Sequence, residues 1–468
     1  MQMPTTVGAN AGGNSPGRAE GAGAPSLMSR RCMIGTAAGL AALTIVPRHV
    51  LGGPGHVPPS EKLNIAGIGI GGRGEGDLDE VGSENIVALC DVDEAYAGRV
   101  FAKYPKARKW RDFRTMLDEQ KDIDAVVIAT PDHTHAVIAM AAIRRGKHVY
   151  CEKPLAHSIW ECRQLAEAAR EAGVATQLGN QGQATETNRL VSEILWDGAI
   201  GAVREVHAWC NRPISARGIE RPKDTPQVPA TLNWDLWLGP ARYRPYHPAY
   251  LPFHWRSWWD FGTGVLGDIG CHQLDPVFRA LRLGYPTTVE ACSSNMDEGA
   301  AVKEETAPKA SIVRFEFPAR EGFPPLTLTW YDGGLMPQRP AELEEGRKFG
   351  EADDNLFIGD KGKMLGYRLI PEARMREYGK PPQRIERSPG HHKEWLIACK
   401  GGPAARANFD WAGPLTEVVL YGNIALRMEK QLYEKGLKLH CDGPNMRITN
   451  LPEANKYIRD EYRHGWAL

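Results

Sequence analysis

The sequence predicts an α/β protein: a parallel sheet with helices on both faces, followed by a second α+β domain on an open, mainly antiparallel sheet. Three observations carry this reading. From Leu63 to about Gly179, short apolar runs without polar alternation, typical of strands buried on both faces, recur between helix-like segments. Beyond Gly179 the pattern shifts to strands separated by turns. The chain has 468 residues, 42% hydrophobic and 24% charged, which is enough for two or three domains.

Residues 1–28, rich in Gly, Ala, Asn, Pro and Ser, carry too little apolar surface to offset ordering entropy and are expected to be disordered. Residues 29–58 follow as a leader and linker, opening on Ser29-Arg30-Arg31-Cys32 and a modest apolar run to Val46. That run is interrupted by Gly35 and Gly39 and falls short of the roughly 20 apolar residues a spanning helix needs, so no stable membrane span is expected. Paired arginines before such a run resemble a twin-arginine export signal, which implies a periplasmic protein exported already folded. Met33 replaces the usual Phe and no A-x-A site precedes Pro47; the competing reading is a basic tail on a cytoplasmic protein.

A dinucleotide-binding unit is expected over residues 59–180. Leu63–Ile70, Asn85–Cys90, Asp124–Thr130 and His148–Cys151 read as strands, with helices over His135–Arg145 and Ser158–Ala172. Alternation at this spacing indicates right-handed βαβ units. The second unit is expected over residues 181–468. It holds a helix near Thr187–Trp196, strands at Val203–Trp209, Thr288–Ser294, Ala310–Phe317, Leu326–Tyr331 and Asn355–Ile358, and a helix over Pro414–Tyr433. Between them, Pro213–Trp259 is long, irregular and aromatic, as functional loops are.

Lys+Arg and Asp+Glu both total 57, with no like-charge block, so nucleic acid is not an expected partner. Nine cysteines without a C-x-x-C pair argue against a zinc site or a disulfide framework.

Gly69-Ile70-Gly71-Gly72-Arg73-Gly74 satisfies G-x-G-x-x-G directly after the first strand. The glycines allow a tight turn, close approach of main chain to a pyrophosphate, and close helix packing, while a helix N-terminus offers N–H groups to the phosphates. Alone the motif is weak among 50 glycines; Asp91, ending the second strand 17 positions after Gly74, strengthens it. A carboxylate there holds ribose hydroxyls and repels a 2'-phosphate, which favours NAD over NADP.

Cys151-Glu152-Lys153-Pro154 stands at the carboxyl end of the strand His148–Cys151, where open α/β sheets place groups over a ligand. In Gly267–Asp275, Asp268 and His272 stand at i,i+4 and share a face if the segment is helical. Lys153, Asp268 and His272 are thus candidate catalytic residues. Oxidising an alcohol needs a base for the hydroxyl proton, which suits His272, and a donor for the developing alkoxide, which suits Lys153.

With the glycine loop, Thr130-Pro131-Asp132-His133-Thr134-His135, Glu152-Lys153-Pro154 and Gly267–Asp275 occur in an order that resembles the glucose-fructose oxidoreductase and inositol dehydrogenase family, Gfo/Idh/MocA. The resemblance implies a Rossmann domain, a C-terminal domain whose open sheet serves oligomer contacts, and a sugar, polyol or related carbohydrate as substrate. By that resemblance Lys153 is the catalytic lysine, and Asp268 and His272 are the acid and histidine. Gly69, Gly71, Gly72, Arg73, Gly74, Asp91, Thr130, Pro131, His135, Glu152, Lys153 and Asn180 form the cofactor set, with a homo-oligomer expected. Substrate contacts are expected from Asp268, His272, Trp255 and Arg256, the last two lying in an aromatic stretch where Trp234, Trp237, Trp258 and Trp259 are expected mostly to pack. His133 and His135 invite a metal reading, but no third ligand is evident and no metal is expected.

Overall fold

The computed structural model describes residues 61–212, 217–350 and 353–468. Lys62–Leu468 cluster as one unit built on two sheets. The expectations for residues 1–28 and for the twin-arginine-like leader lie outside the described residues.

In the first sheet, apolar runs with no polar alternation became strands: β1 (Asn64–Ile68), β2 (Asn85–Cys90), β4 (Ala125–Ile128) and β5 (His148–Glu152). Two others, β3 (Arg108–Trp110) and β6 (Thr176–Gly179), escape hydrophobic pattern. The former exposes two of its three residues at the sheet edge, and the latter is polar yet buried. All six pair in parallel in the order β3-β2-β1-β4-β5-β6. The order reverses between β1 and β4, opening a crevice at their carboxyl ends, where doubly wound sheets bind ligands. The helix Ile159–Ala172 starts at a reciprocal capping box of Ser158 with Glu161 and stops at left-handed Gly173.

The second sheet contains β7 (Val203–Cys210), β8 (Thr288–Ser293), β9 (Ser311–Phe317), β10 (Leu326–Asp332), β11 (Asp354–Gly359), β12 (Gly362–Leu365), β13 (Arg368–Ile370), β14 (Leu439–Asp442) and β15 (Arg447–Ile448). Their order is β13-β12-β11-β7-β10-β9-β8-β14-β15, antiparallel except for β7 with β10. The helices Gly264–Ala280 and Phe409–Lys435 pack on this sheet, and the latter also packs on Ile159–Ala172 beside the first sheet. It begins five residues before Pro414, with the Asn408 carboxamide accepting from Trp411 N. One apolar core therefore runs through both sheets.

No helix among the described residues is long and apolar enough to cross a membrane.

Candidate active site

Strand β1 stops at Ile68 because Gly69 turns the chain with φ +76°, a left-handed conformation that suits glycine. Gly72 caps the helix Arg73–Glu80 without any side-chain bond, so its first N–H groups are free of side-chain partners. A Cβ on Gly74 would lie 2.3 Å from the Gly69 carbonyl oxygen, so helix and turn touch only because the side chain is missing. Asp91 takes N–H bonds from Ile70 (2.9 Å) and Gly71 (3.2 Å), pinning the loop to the end of β2. Burial pushes its carboxyl up to about 6, against those bonds.

The loop faces a cavity of about 560 Å³, within the roughly 300–1,000 Å³ usual for ligand sites. Of the expected cofactor set, Gly69, Gly71, Gly72, Arg73, Asp91, Thr130, Pro131, Glu152 and Lys153 line it. Three expected residues do not. Gly74 packs behind the loop. His135 is buried with Nδ1 2.7 Å from the Pro154 carbonyl and Nε2 2.8 Å from that of Thr130, so it ties two cavity loops together from behind. Asn180 is fully buried and donates to Asp275 at 3.1 Å; its neighbour Gln181 lines the cavity, donating to Tyr150 and Glu152. Burial, then the charge of Asp77, pushes the Glu152 carboxyl up to about 7. His133 bonds the Phe261 and Trp237 carbonyls at 3.2 and 3.1 Å, and no metal-binding group of three or more ligands occurs among the described residues.

The expected catalytic residues come together. Lys153 follows β5, and Asp268 and His272 share one helix, Gly264–Ala280. The Lys153 ammonium donates to Asp268 Oδ1, and Arg256 Nε approaches the same oxygen at 3.2 Å. Both cations outweigh the burial that would raise the Asp268 carboxyl, holding it at about 2. Burial opposes the charge on Lys153, yet Asp268 and Glu152 hold its pKa above the usual value. Burial and then the nearby Lys153 charge push His272 down to about 3, so its ring is neutral. Lys153 and His272 both line the cavity that the glycine loop opens. Among the described residues Asp268 thus bonds Lys153 and Arg256.

The expected substrate contacts Trp255 and Arg256 line the cavity, with the guanidinium 4.4 Å from the Trp255 ring and 4.3 Å from that of Phe253. Trp234, Trp258 and Trp259 are buried, the first two in a separate aromatic core, whereas Trp237 in that core also reaches the cavity. Sequence reading missed Tyr96, Phe113, Phe253 and Trp466 as cavity residues. Apart from Phe253, which lies in the aromatic stretch Pro213–Trp259, these aromatic residues stand outside every predicted element and motif.

Residues 62–180 match the model of an oxidoreductase family, Gfo/Idh/MocA, described as its NAD-binding Rossmann fold, and residues 216–302 match the same family's C-terminal alpha/beta domain. These two segments match that family's two domains. Among curated Gfo/Idh/MocA-like relatives, 1,5-anhydro-D-fructose reductase of Ensifer adhaerens is 32% identical over 158 residues, 33% of this chain and 36% of the relative. Levoglucosan dehydrogenase of Pseudarthrobacter phenanthrenivorans is 29% identical over 187 residues, 40% of each chain. Inositol 2-dehydrogenase of Salmonella typhimurium is 30% identical over 146 residues, 30% of this chain and 43% of the relative. The chain thus spans well under half the length of these three relatives. Solved structures share the fold: GenD2 from gentamicin A biosynthesis, in complex with NAD (TM-score 0.55, 20% identity, 81% of this chain and 97% of that one), and the WlbA dehydrogenase of Bordetella pertussis, in complex with NADH and UDP-GlcNAcA (0.54, 18%, 81% and 99%).

The residues present fit the dinucleotide that the family's Rossmann fold binds. Uncapped N–H groups stand at the helix start, a carboxylate ends β2, and the cavity runs from that carboxylate to Lys153.

Proposed function

We propose that this protein is an NAD-dependent oxidoreductase that moves a hydride between a hydroxyl-bearing carbon of a sugar, polyol or glycoside and the bound nicotinamide. The observation that carries the reading is the shared cavity: Lys153 and His272 line the same space as the glycine loop and Asp91. Two titrating groups whose surroundings push them apart, Lys153 up and His272 down, make a donor and an acceptor at neutral pH. Lys153 Nζ donates to the substrate oxygen as it gains alkoxide character, and the neutral His272 ring accepts the hydroxyl proton. Asp268 keeps Lys153 charged and aimed. Trp255, with Arg256 stacked on it, offers a flat face to a sugar ring. The carbohydrate relatives named above support the substrate class.

A second reading is favoured by one sequence feature, Arg30-Arg31 before an apolar run. For an exported protein, the cofactor would travel with the fold and be regenerated in place, which suits redox-neutral glycoside cleavage by oxidation, elimination and reduction. Assembly as a homo-oligomer through the second sheet belongs to the same proposal: β9 turns Ile312, Arg314 and Glu316 away from its buried face.

Incubating purified protein with polyols and aryl glycosides, while following nicotinamide absorbance and aglycone release, tests both readings. Net reduction of added NAD is expected for the dehydrogenase. Aglycone release without added NAD identifies cleavage. Neither signal across the panel would refute the proposed function.

A further inference from the structure

Trp466 lies far from any motif, yet it lines the cavity. The topology says which end. In the order β3-β2-β1-β4-β5-β6, residues after β2 and β3 lie across the switch point from Lys153 after β5. Trp466 packs on Phe113, just after β3, at 6.1 Å between ring centroids, and Arg114 lies 4.4 Å from its ring. It therefore stands at the half of the crevice that Asp91 marks as the adenosine end.

The segment carrying it has no helix or strand from Ile458 onward, but several side chains fix it. His157 Nδ1 meets Asp460 at 2.7 Å, and the Tyr462 hydroxyl donates to buried Glu161. Arg463 Nε donates to the Gly239 carbonyl at 2.7 Å, and its Nη1 pairs with Asp235 at 2.5 Å. Arg144 donates to the Leu468 carbonyl at 3.1 Å. Irregular backbone over a crevice is ordinarily loose. Five anchors around one aromatic ring indicate that the ring's position is used.

We infer that residues 460–468 form a strap whose Trp466 packs against the adenine of the bound dinucleotide, holding the cofactor by its non-reacting end. The inference rests on the NAD reading of the cavity. It assigns retention to a segment remote from Lys153 and His272. Stacking a base on an aromatic ring is worth roughly 1–3 kcal/mol, so loss of the ring should weaken binding by about 10-fold or more.

ADP-ribose, which carries the adenosine and pyrophosphate without nicotinamide, is the probe. Calorimetric titration of wild type, Trp466→Ala and Trp466→Phe is combined with tryptophan emission and a melting curve. Expected are about 10-fold weaker ADP-ribose binding in Trp466→Ala, binding within about threefold of wild type in Trp466→Phe, and emission quenching by ADP-ribose that is smaller in Trp466→Phe. If Trp466→Ala does not fold, Arg463→Ala, which frees the strap, should give the same selective loss. Unchanged affinity in the alanine variant, or quenching undiminished in Trp466→Phe, overturns the strap. If wild type binds neither ADP-ribose nor NAD, the cofactor reading itself falls, a result distinct from failure of the strap alone.

Discussion

Lys153 and Asp268, 115 positions apart in the chain, form an ion pair beside the cavity. The first follows the last motif-bearing strand of the parallel sheet; the second stands on the helix that packs against the other sheet. Fold geometry therefore delivers a fixed ammonium where only tertiary structure could bring it. Arg256 shares the same Asp268 oxygen and helps keep that carboxylate charged, and Asp268 with Glu152 in turn holds Lys153 protonated near neutrality against burial and the Arg256 charge. Such prealigned charge costs no reorganisation when an alkoxide develops.

Replacing Lys153 by Met removes that donor but leaves Asp268 paired with Arg256. Turnover is expected to fall about 10²- to 10⁴-fold while NAD affinity changes by less than about threefold. Steady-state rates together with NAD titration separate the two effects. Loss of NAD binding in parallel with turnover would make Lys153 a cofactor anchor instead.

His272 is held neutral with its pKa near 3 by burial and the Lys153 charge. The base form is therefore full throughout the neutral range, and oxidation should show no acid-side loss at the ordinary histidine value of about 6.5. Of the two raised cavity carboxyls, Asp91 at about 6 and Glu152 at about 7, Glu152 is the one beside Lys153 placed to titrate at neutrality. In a pH profile of kcat/KM, an inflection near neutrality should survive in His272→Gln and vanish in Glu152→Gln. The reverse pattern would return the titration to His272.

Much of the first sheet was legible because strands buried on both faces are apolar at every position, as in Ala125–Ile128. Strand β6 was not, because its polarity is satisfied from far along the chain: Gln177 donates to the His391 carbonyl, and Thr176 accepts from Phe409 N. The site divides in the same way. Gly69, Asp91 and Lys153 sit at ends of recognisable strands, so motif spacing locates them. Asn180 and His135 sit in matching motifs but turn to Asp275 and to the Pro154 carbonyl, choices made by neighbours no spacing rule names. Arg256 was expected at the substrate, but its ion pair with Asp268 came only from packing. Nothing periodic surrounds Trp466.

Gly74→Ala should be costly despite its size. Its Cβ would press on the Gly69 carbonyl, so either the helix or the glycine turn must shift. A loss of about 1–3 kcal/mol in stability is expected from overpacking, with NAD affinity falling further because the turn itself moves. Chemical denaturation and NAD titration check this. A variant as stable as wild type, binding NAD equally well, would mean that the close approach is not maintained in solution.

The strap carries its own pH dependence. Burial opposes the charge on His157, but Asp460, with smaller contributions from Glu161 and Asp132, raises it to about 9; His133 and Arg427 also face Asp460. A histidine raised on folding stabilises fully below its unfolded value of about 6.5, and that contribution is lost as pH rises through 9. Glu161, raised to about 7 by burial and the Asp460 charge, acts in the same direction but at lower pH, its contribution being lost between its ordinary value of about 4.5 and 7, so the loss above neutrality belongs to His157. Hydrogen exchange in residues 458–468 should therefore accelerate, beyond its intrinsic pH dependence, between about pH 7 and 10, and His157→Gln should remove most of that excess. Protection that tracks the rest of the chain over this range would show that the pair does not hold the segment.

The most direct test of the central claim is mass spectrometry of nucleotide released from purified protein after equilibration with equal NAD and NADP and washing. The expected result is NAD near one per chain, with little NADP, and much less of either in Gly74→Ala. Retention of neither nucleotide, or of both equally, would contradict a cavity in which the glycine turn and Asp91 hold NAD for Lys153 and His272.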